Sequence, residues 1–176
     1  IIISSKCITC GFFPMGAVIL KQELADEFVE ISEKAEEFPH GFTSGGHPVG
    51  CAIAQKAIDV IINEGLLDNV KKISPYFTKK LKEFNDYENI GEIRGVGLMG
   101  ALEIVKDKTT KTPFDSNLSI GEKVANMSIE NGLICRPIGS SIVLCPQFII
   151  TESQLDTLFD ILHDTLKKTL QLITTN

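Results

Sequence analysis

The sequence predicts an α/β fold that continues into an α+β region. Two short apolar runs, residues 1–4 and 17–20, are each bounded by turn residues. Neither run alternates apolar with polar residues, which is typical of strands buried on both faces of a parallel sheet. Further along, glycine-containing strand pairs combine with amphipathic helices, as in α+β proteins. A chain of 176 residues can form one or two small domains with a real core.

Three helices and a glycine-rich loop are predicted after the second apolar run. Apolar residues recur at helical spacing over 21–31 and predict the first helix. Residues 36–47 read EEFPHGFTSGGH and predict a loop because of their glycines and proline. Pro48 suits the first turn of a second helix, and Gly65 suits its C-terminal end. The third helix is predicted over about 66–84.

Two strand pairs are predicted in the rest of the chain. Residues 90–105 read IGEIRGVGLMGALEIV and mix glycines with β-forming residues, which indicates a strand pair or a strand with bulges. A polar loop over 106–118 follows. The segment LICRPIGSSIVLCP then predicts a hairpin with strands at 133–136 and 141–145.

Capping boxes predict the starts of the last two helices. Ser119 and Glu122 have the spacing of such a box, and so do Thr151 and Gln154. Apolar residues then line one face of a long terminal helix. They are Leu155, Leu158, Phe159, Leu162, Leu166 and Leu170. The natural boundary between the α/β and α+β parts lies near 66–75.

Composition excludes several classes of function. The net charge is −6 and the basic clusters are only lysine pairs, so we expect no nucleic-acid partner. No apolar run reaches the length of a membrane span, and no signal peptide is visible. Five cysteines, an odd number, argue against a disulfide scaffold and predict a reducing, cytoplasmic location. Because the chain starts inside an apparent strand without an initiator Met, we expect it to be the C-terminal part of a longer protein.

Lys6 stands at the exit of the first apolar run, before a loop of turn residues. A solvated surface lysine is the ordinary interpretation. Partial burial would instead lower the pKa of its ammonium group, and a neutral amine can form a Schiff base with an aldehyde. Cys7 and Cys10 form a CxxC, but no helix start or further ligands adjoin it. We therefore expect small buried cysteines and no metal site.

Arginine is scarce, with two among seventeen basic residues. A planar guanidinium suits a carboxylate because it donates two parallel hydrogen bonds. Arg94 is predicted to form a structural ion pair between domains, whereas for Arg136 a structural and a ligand-binding role stay equally open. His40 and His47 lack a third ligand at metal spacing, and His47 is predicted to hydrogen-bond in its loop. His163 is predicted to be solvated.

Four segments resemble class III, or omega-amino-acid type, aminotransferases of the fold-type-I pyridoxal-phosphate superfamily. They are SSKCITCGFFPMGAVIL, HGFTSGGHPVGCAIAQKAIDVI, IRGVGLMGALEIVKDK and GLICRPIGSSIVLCPQFIITESQLD. They follow the order of that family and cover nearly the whole chain. The residue after the lysine is usually small or polar but is Cys7 here, and an aromatic residue is usual where Ser44 stands. These departures affect the expected substrate preference more than the expected reaction.

The resemblance implies roles for individual residues. Lys6 matches the lysine that forms a Schiff base with pyridoxal 5'-phosphate and then moves a proton. Thr43 matches the threonine that donates a hydrogen bond to the cofactor phosphate, usually of the neighbouring subunit. Ser44 and Gly45 lie where the backbone passes close to that phosphate. Arg136 matches an arginine that receives a substrate carboxylate. Phe12 and Phe13 fall where an aromatic residue often lines the substrate entrance.

The resemblance also implies an architecture and an activity. Residues 1–68 would be the C-terminal part of the cofactor-binding large domain, including the end of its sheet, and 69–176 the small α+β domain. The expected function is transfer of an amino group from an amino acid or amine to a 2-oxo acid or aldehyde, in a homodimer. Alternatives are an aminomutase, racemase or decarboxylase of the same fold, or a non-catalytic dimerisation module. We expect the 176-residue chain alone to be inactive.

Overall fold

The computed structural model of the protein describes residues 1–35 and 40–174. The chain divides into two compact units, residues 1–65 and 66–176. The assignment of 1–68 and 69–176 to two domains of a larger enzyme stays a prediction. Among the described residues, no helix combines the length and the apolar character that crossing a membrane requires.

The first unit begins with a two-stranded antiparallel hairpin. Strand β1 (Ile2–Ser5) pairs with β2 (Gly16–Ile19). The prediction of buried parallel strands is wrong, because parallel pairing needs a crossover of a dozen or more residues and the link between these strands is shorter. Ile3 is 80% exposed, so this strand is not buried on both faces within the described chain.

Two helices complete the first unit, α1 (Gln22–Ala35) and α2 (Pro48–Asn63). Pro48 occupies the first turn of α2, as predicted, where a missing N–H costs nothing. Gly65 follows the end of α2 with a φ of 64°, the left-handed backbone that glycine tolerates best. Of the predicted loop, residues 40–47 contain only turns and irregular backbone, while 36–39 lie outside the described residues.

The second unit combines three helices with a four-stranded antiparallel sheet. Its elements are α3 (Leu66–Lys82), β3 (Ile90–Val96), β4 (Met99–Ile104), α4 (Ile120–Glu130), β5 (Arg136–Ile138), β6 (Ser141–Leu144) and α5 (Glu152–Thr174). The strands lie in the order β3-β4-β6-β5. Both predicted strand pairs are confirmed, but β5 covers Arg136–Ile138, so only Arg136 of the predicted strand 133–136 lies in it. Pro137 is tolerated in β5 because this is an edge strand.

One hydrophobic core fills the second unit. Its largest fully buried side chains are Phe77, Phe84, Phe159, Leu81, Ile90, Leu102, Ile104, Ile142, Leu155, Leu162, Leu166 and Val124. The predicted apolar face of α5 supplies several of them. The capping box before α5 is also confirmed. Thr151 N–H donates to Gln154 Oε1 at 3.0 Å, and Gln154 N–H donates to Thr151 Oγ1 at 3.3 Å.

The capping box predicted at Ser119 is wrong. Ser119 does precede α4, but its side chain makes no capping hydrogen bond and its φ is 45°. A capping residue normally has extended backbone, which aims its oxygen at the first turn of the helix. Here Ser119 also ends the 3-10 turn Ser116–Leu118, and that turn imposes the left-handed backbone.

Candidate active site

Lys6 lies directly after β1 and starts a 3-10 turn, Lys6–Ile8. Its φ is 58°, so a residue with a full side chain occupies the left-handed region. Such backbone is uncommon outside glycine and concentrates at functional sites. The side chain of Lys6 is exposed in the described chain.

The loop after Lys6 is held by its own side chains. Thr9 is 1% exposed, and its hydroxyl donates to the Phe13 carbonyl at 2.6 Å. The Phe12 N–H donates to the Thr9 carbonyl at 3.0 Å. Cys10 has a φ of 50°, which adds a second left-handed residue to the turn. These local bonds define the loop conformation without a large core around it.

Thr43 and Ser44 lie in a turn that leads into α2. The Gly45 N–H donates to the Phe42 carbonyl at 2.9 Å, and the His47 N–H donates to the Ser44 carbonyl at 3.3 Å. Thr43 and Ser44 are exposed. Because N–H groups and the positive end of the helix dipole meet at a helix N-terminus, this region suits an anionic group.

The Lys6 loop contacts the start of α2. The rings of Phe13 and His47 lie 5.2 Å apart between centroids. His47 Nδ1 is buried without a hydrogen-bond partner in the described chain, so this nitrogen does not provide the predicted loop hydrogen bond. The structure therefore brings together the two segments that carry Lys6 and Thr43. Phe12, by contrast, is 82% exposed.

Arg136 belongs to the second unit, where it is the first residue of β5. It is exposed, and none of the described acidic side chains forms an ion pair with it. Arg94 differs, since its Nη1 lies 2.7 Å from Glu103 Oε2 on the neighbouring strand. The predicted ion pair of Arg94 is confirmed, but its partner lies in the same sheet rather than in another domain. The guanidinium of Arg136 is thus the one of the two that is available for a ligand.

The CxxC is more exposed than the sequence suggested. Cys7 and Cys10 are free thiols on the surface, so the expectation of small buried cysteines is wrong for both. They lie in the loop that connects β1 to β2, where Cys10 Sγ donates to the Cys7 carbonyl at 3.4 Å. Within the described residues, no three His, Cys, Asp or Glu side chains form a group able to hold a metal ion.

A polar cluster in the second unit was not predicted. His163 was expected to be solvated, but its ring stacks on Phe84 with centroids 3.9 Å apart and an interplanar angle of 5°. Tyr87 Oη lies 3.0 Å from His163 Nδ1. The signal was present in the sequence, because His163 follows Phe159 by four residues and so shares its helix face. Burial lowers the pKa of His163.

Comparison with known protein families identifies the chain. The sequence model of the family "Aminotransferase class-III" matches residues 1–166. The chain belongs to this family. The predicted fold class is confirmed, since an aminotransferase and an omega-transferase of known structure match the chain with TM-scores of 0.93 and 0.94.

Two of the similar solved structures come from Vibrio fluvialis and Paracoccus denitrificans. The PMP-bound form of an aminotransferase from Vibrio fluvialis is 58% identical, with a TM-score of 0.93, over 96% of this chain and 37% of that one. An omega-aminotransferase from Paracoccus denitrificans is 59% identical, with a TM-score of 0.94, over 97% of this chain and 38% of that one.

Similar curated proteins include two enzymes with different substrates in their names. The mitochondrial gamma aminobutyrate transaminase 1 of Solanum lycopersicum is 36% identical over 94% of this chain and 32% of its own length. The putrescine–pyruvate aminotransferase of Pseudomonas aeruginosa is 37% identical over 94% of this chain and 35% of its own length. The chain thus spans about a third of the length of these relatives.

Proposed function

We propose that the whole protein is an aminotransferase that uses pyridoxal 5'-phosphate. It would move an amino group from an amino acid or amine to a 2-oxo acid or aldehyde. The observation that carries the proposal is the left-handed backbone of Lys6, in a loop that contacts the start of α2 close after Thr43. Membership of the class III family supports the same reaction.

The side chains present fit this cofactor. Lys6 offers an exposed amine that can bond to an aldehyde carbon. Thr43 offers a hydroxyl close to the N-terminus of α2, where a phosphate is favoured. When bound, pyridoxal phosphate supplies an electron sink that stabilises negative charge on the substrate carbon. The family resemblance supports these two residues as its anchors.

Each residue would have a distinct task. Lys6 would hold the cofactor covalently, release it to the amino donor, and then act as general base and acid for the proton on the substrate carbon. The Thr43 hydroxyl would donate to a phosphate oxygen, with Ser44 beside it. Arg136 would hold a substrate carboxylate through two parallel hydrogen bonds. Phe12 would border the substrate.

We further propose a homodimer in a reducing compartment such as the cytoplasm. The family resemblance supports the dimer, because the Thr43 hydroxyl would serve the cofactor of the neighbouring subunit. Its hydroxyl has no hydrogen-bond partner among the described residues, which leaves it available for that role. The five free cysteines support a reducing location.

Replacing Lys6 tests the proposed function. The full-length wild-type protein should show the visible absorbance of covalently held cofactor and should transfer amino groups to a 2-oxo acid. Lys6→Ala should lose both, with a fall in turnover of about 10³-fold or more because covalent attachment and proton transfer both depend on this amine. Lys21→Ala is the matched control, since Lys21 is also an exposed lysine of the first unit, and it should behave as wild type.

Three other outcomes of these measurements would each argue against one part of the proposed function. Equal spectra for wild type and Lys6→Ala would overturn the role of Lys6. Turnover that does not depend on a 2-oxo acid or aldehyde acceptor would favour an aminomutase, racemase or decarboxylase. A wild-type protein with neither absorbance nor turnover would favour the non-catalytic dimerisation module.

A further inference from the structure

Two free thiols lie in the loop that starts at Lys6, and the proposed reaction does not use them. Cys7 and Cys10 are both exposed in the described chain. Cys10 Sγ donates to the Cys7 carbonyl at 3.4 Å, so the side chain of Cys10 folds back toward Cys7. Two thiols that lie close together have one reaction in common, which is oxidation to a disulfide.

The backbone between the two cysteines turns sharply. The 3-10 turn Lys6–Ile8 is closed by the Thr9 N–H, which donates to the Lys6 carbonyl at 3.2 Å. Thr9 then has a φ of −124° and a ψ of 4°. Ile8 and Thr9 thus resemble the two central residues of a type I turn, in which the first and last Cα atoms are less than about 7 Å apart. A disulfide joins Cα atoms that are about 4.4–6.8 Å apart, so this turn suits one.

Access of an oxidant to this loop follows from the proposed function. An amino donor must reach the Lys6 amine, and Cys7 is the next residue of the chain. Hydrogen peroxide is smaller than an amino acid, so it reaches the same place. Disulfides in a reducing compartment are usually transient or redox-sensing rather than permanent bridges. They open again when glutathione or another thiol exchanges with them.

We propose that Cys7 and Cys10 are a redox modification site, at which hydrogen peroxide closes a disulfide that suppresses the activity of Lys6. One thiolate attacks an oxygen of the peroxide, the O–O bond breaks, and the departing hydroxide takes up the thiol proton to give water and a sulfenic acid. The second thiolate attacks the sulfenic sulfur. The S–O bond breaks as the S–S bond forms, and the hydroxide takes up the second thiol proton. The two thiols are thereby oxidised, and two electrons and two protons reduce the peroxide to two waters.

The disulfide would act on Lys6 through the backbone of the turn that they share. To form it, Cys10 Sγ must leave the Cys7 carbonyl and come within about 2.05 Å of Cys7 Sγ. Lys6 and Cys10 both have left-handed backbone, with φ values of 58° and 50°, and the bond closes a ring directly after Lys6. A misplacement of about 1 Å can reduce the rate about 100-fold. This effect rests on the proposed function, in which the Lys6 amine holds the cofactor and moves a proton.

Brief treatment of the full-length protein with hydrogen peroxide tests the site. In the wild type, the peptide that contains both cysteines should become lighter by two hydrogen atoms, as read by mass spectrometry. Turnover with a 2-oxo acid should fall about tenfold or more, and dithiothreitol should restore both. Cys10→Ser cannot form the bond but keeps a donor for the Cys7 carbonyl, so the same dose should lower its turnover less than about twofold. Cys51→Ser is the matched control, at an exposed cysteine of the first unit outside the loop, and it should respond like the wild type.

Three results would overturn the inference, and a fourth would bear only on the proposed function. An unchanged peptide mass in the treated wild type would mean that the two thiols do not form a disulfide. A disulfide with unchanged turnover would mean that it does not act on Lys6. Equal losses in the wild type and in Cys10→Ser, or in Cys10→Ala if the serine variant does not fold, would mean that another group is oxidised. If the untreated wild type transfers no amino groups, the proposed function fails, while the peptide mass still decides whether the disulfide forms.

Discussion

The two units of the chain differ in how many of their side chains are buried. In the second unit, aromatic and aliphatic side chains from helices and sheet are fully buried in one core. In the described part of the first unit, only Thr9, Gly50 and Ala54 are buried, and large apolar side chains such as Ile3 are exposed. The candidate cofactor residues Lys6 and Thr43 lie in the first unit, where few of the described residues are buried. Their backbone is therefore held by local turns and by the close contact of Gly50 with Phe13 and Met15, and not by a buried core.

This difference predicts a large contrast between the isolated units. Residues 66–176 expressed alone should unfold cooperatively with a free energy of about 5–15 kcal/mol, because they contain a complete core. Residues 1–65 alone should show no cooperative transition, because too little apolar surface is buried to offset chain entropy. Urea titrations followed by far-ultraviolet circular dichroism would measure both. A cooperative transition in 1–65, or none in 66–176, would contradict the comparison.

Single substitutions give the next largest contrast. Phe159 is fully buried, and its ring centroid lies 5.5 Å from that of Phe77. Phe159→Ala should lower the free energy of unfolding of the second unit by about 3–5 kcal/mol, since a cavity adds to the lost apolar burial. Ile134→Ala truncates an apolar side chain of the same unit that is 87% exposed, and it should cost about 0.5 kcal/mol or less. Urea midpoints of the whole chain would measure both, and equal effects would contradict the contrast.

The second unit was largely predictable because its signals are local and periodic. The apolar face of α5 recurs at helical spacing, and Thr151 with Gln154 defines its start through bonds between near neighbours. The strand pair of β3 and β4 is connected by a tight turn at Gly97, whose φ is 60°. The error at Ser119 arose because a preceding 3-10 turn changed the backbone that a cap requires.

The first unit was less predictable because its arrangement depends on contacts between separate segments. Apolar strands without alternation predict burial, but the direction of β2 and the exposure of Ile3 depend on what else pairs with the strands. Motif resemblance identified Lys6 and Thr43 as candidates. It could not reveal the left-handed backbone of Lys6 or the contact at Gly50, because both depend on the three-dimensional path of the loop.

His163 provides the smallest test, and it concerns a charge inside the well-packed unit. Its ring stacks on Phe84, and its Nε2 lies 3.9 Å from Glu83 Oε2. Tyr87 faces the other nitrogen. The charged groups that act on the ring are Glu83, Lys80, Asp160 and Asp164. Burial disfavours the charged imidazolium and outweighs the nearby carboxylates, so the pKa of His163 is lowered.

A lowered pKa in the folded state gives a definite sign to the pH dependence. Below the ordinary histidine pKa of about 6.5, the unfolded chain binds a proton that the folded chain resists. The free energy of unfolding should therefore fall as the pH decreases from about 6.5 to the lowered pKa of the folded state, and level off below it for this group. His163→Gln cannot take up the proton and should flatten the curve in that window. Urea midpoints of the whole chain at several pH values measure these slopes, and a His163→Gln curve parallel to wild type would show that the buried ring is not the group that titrates.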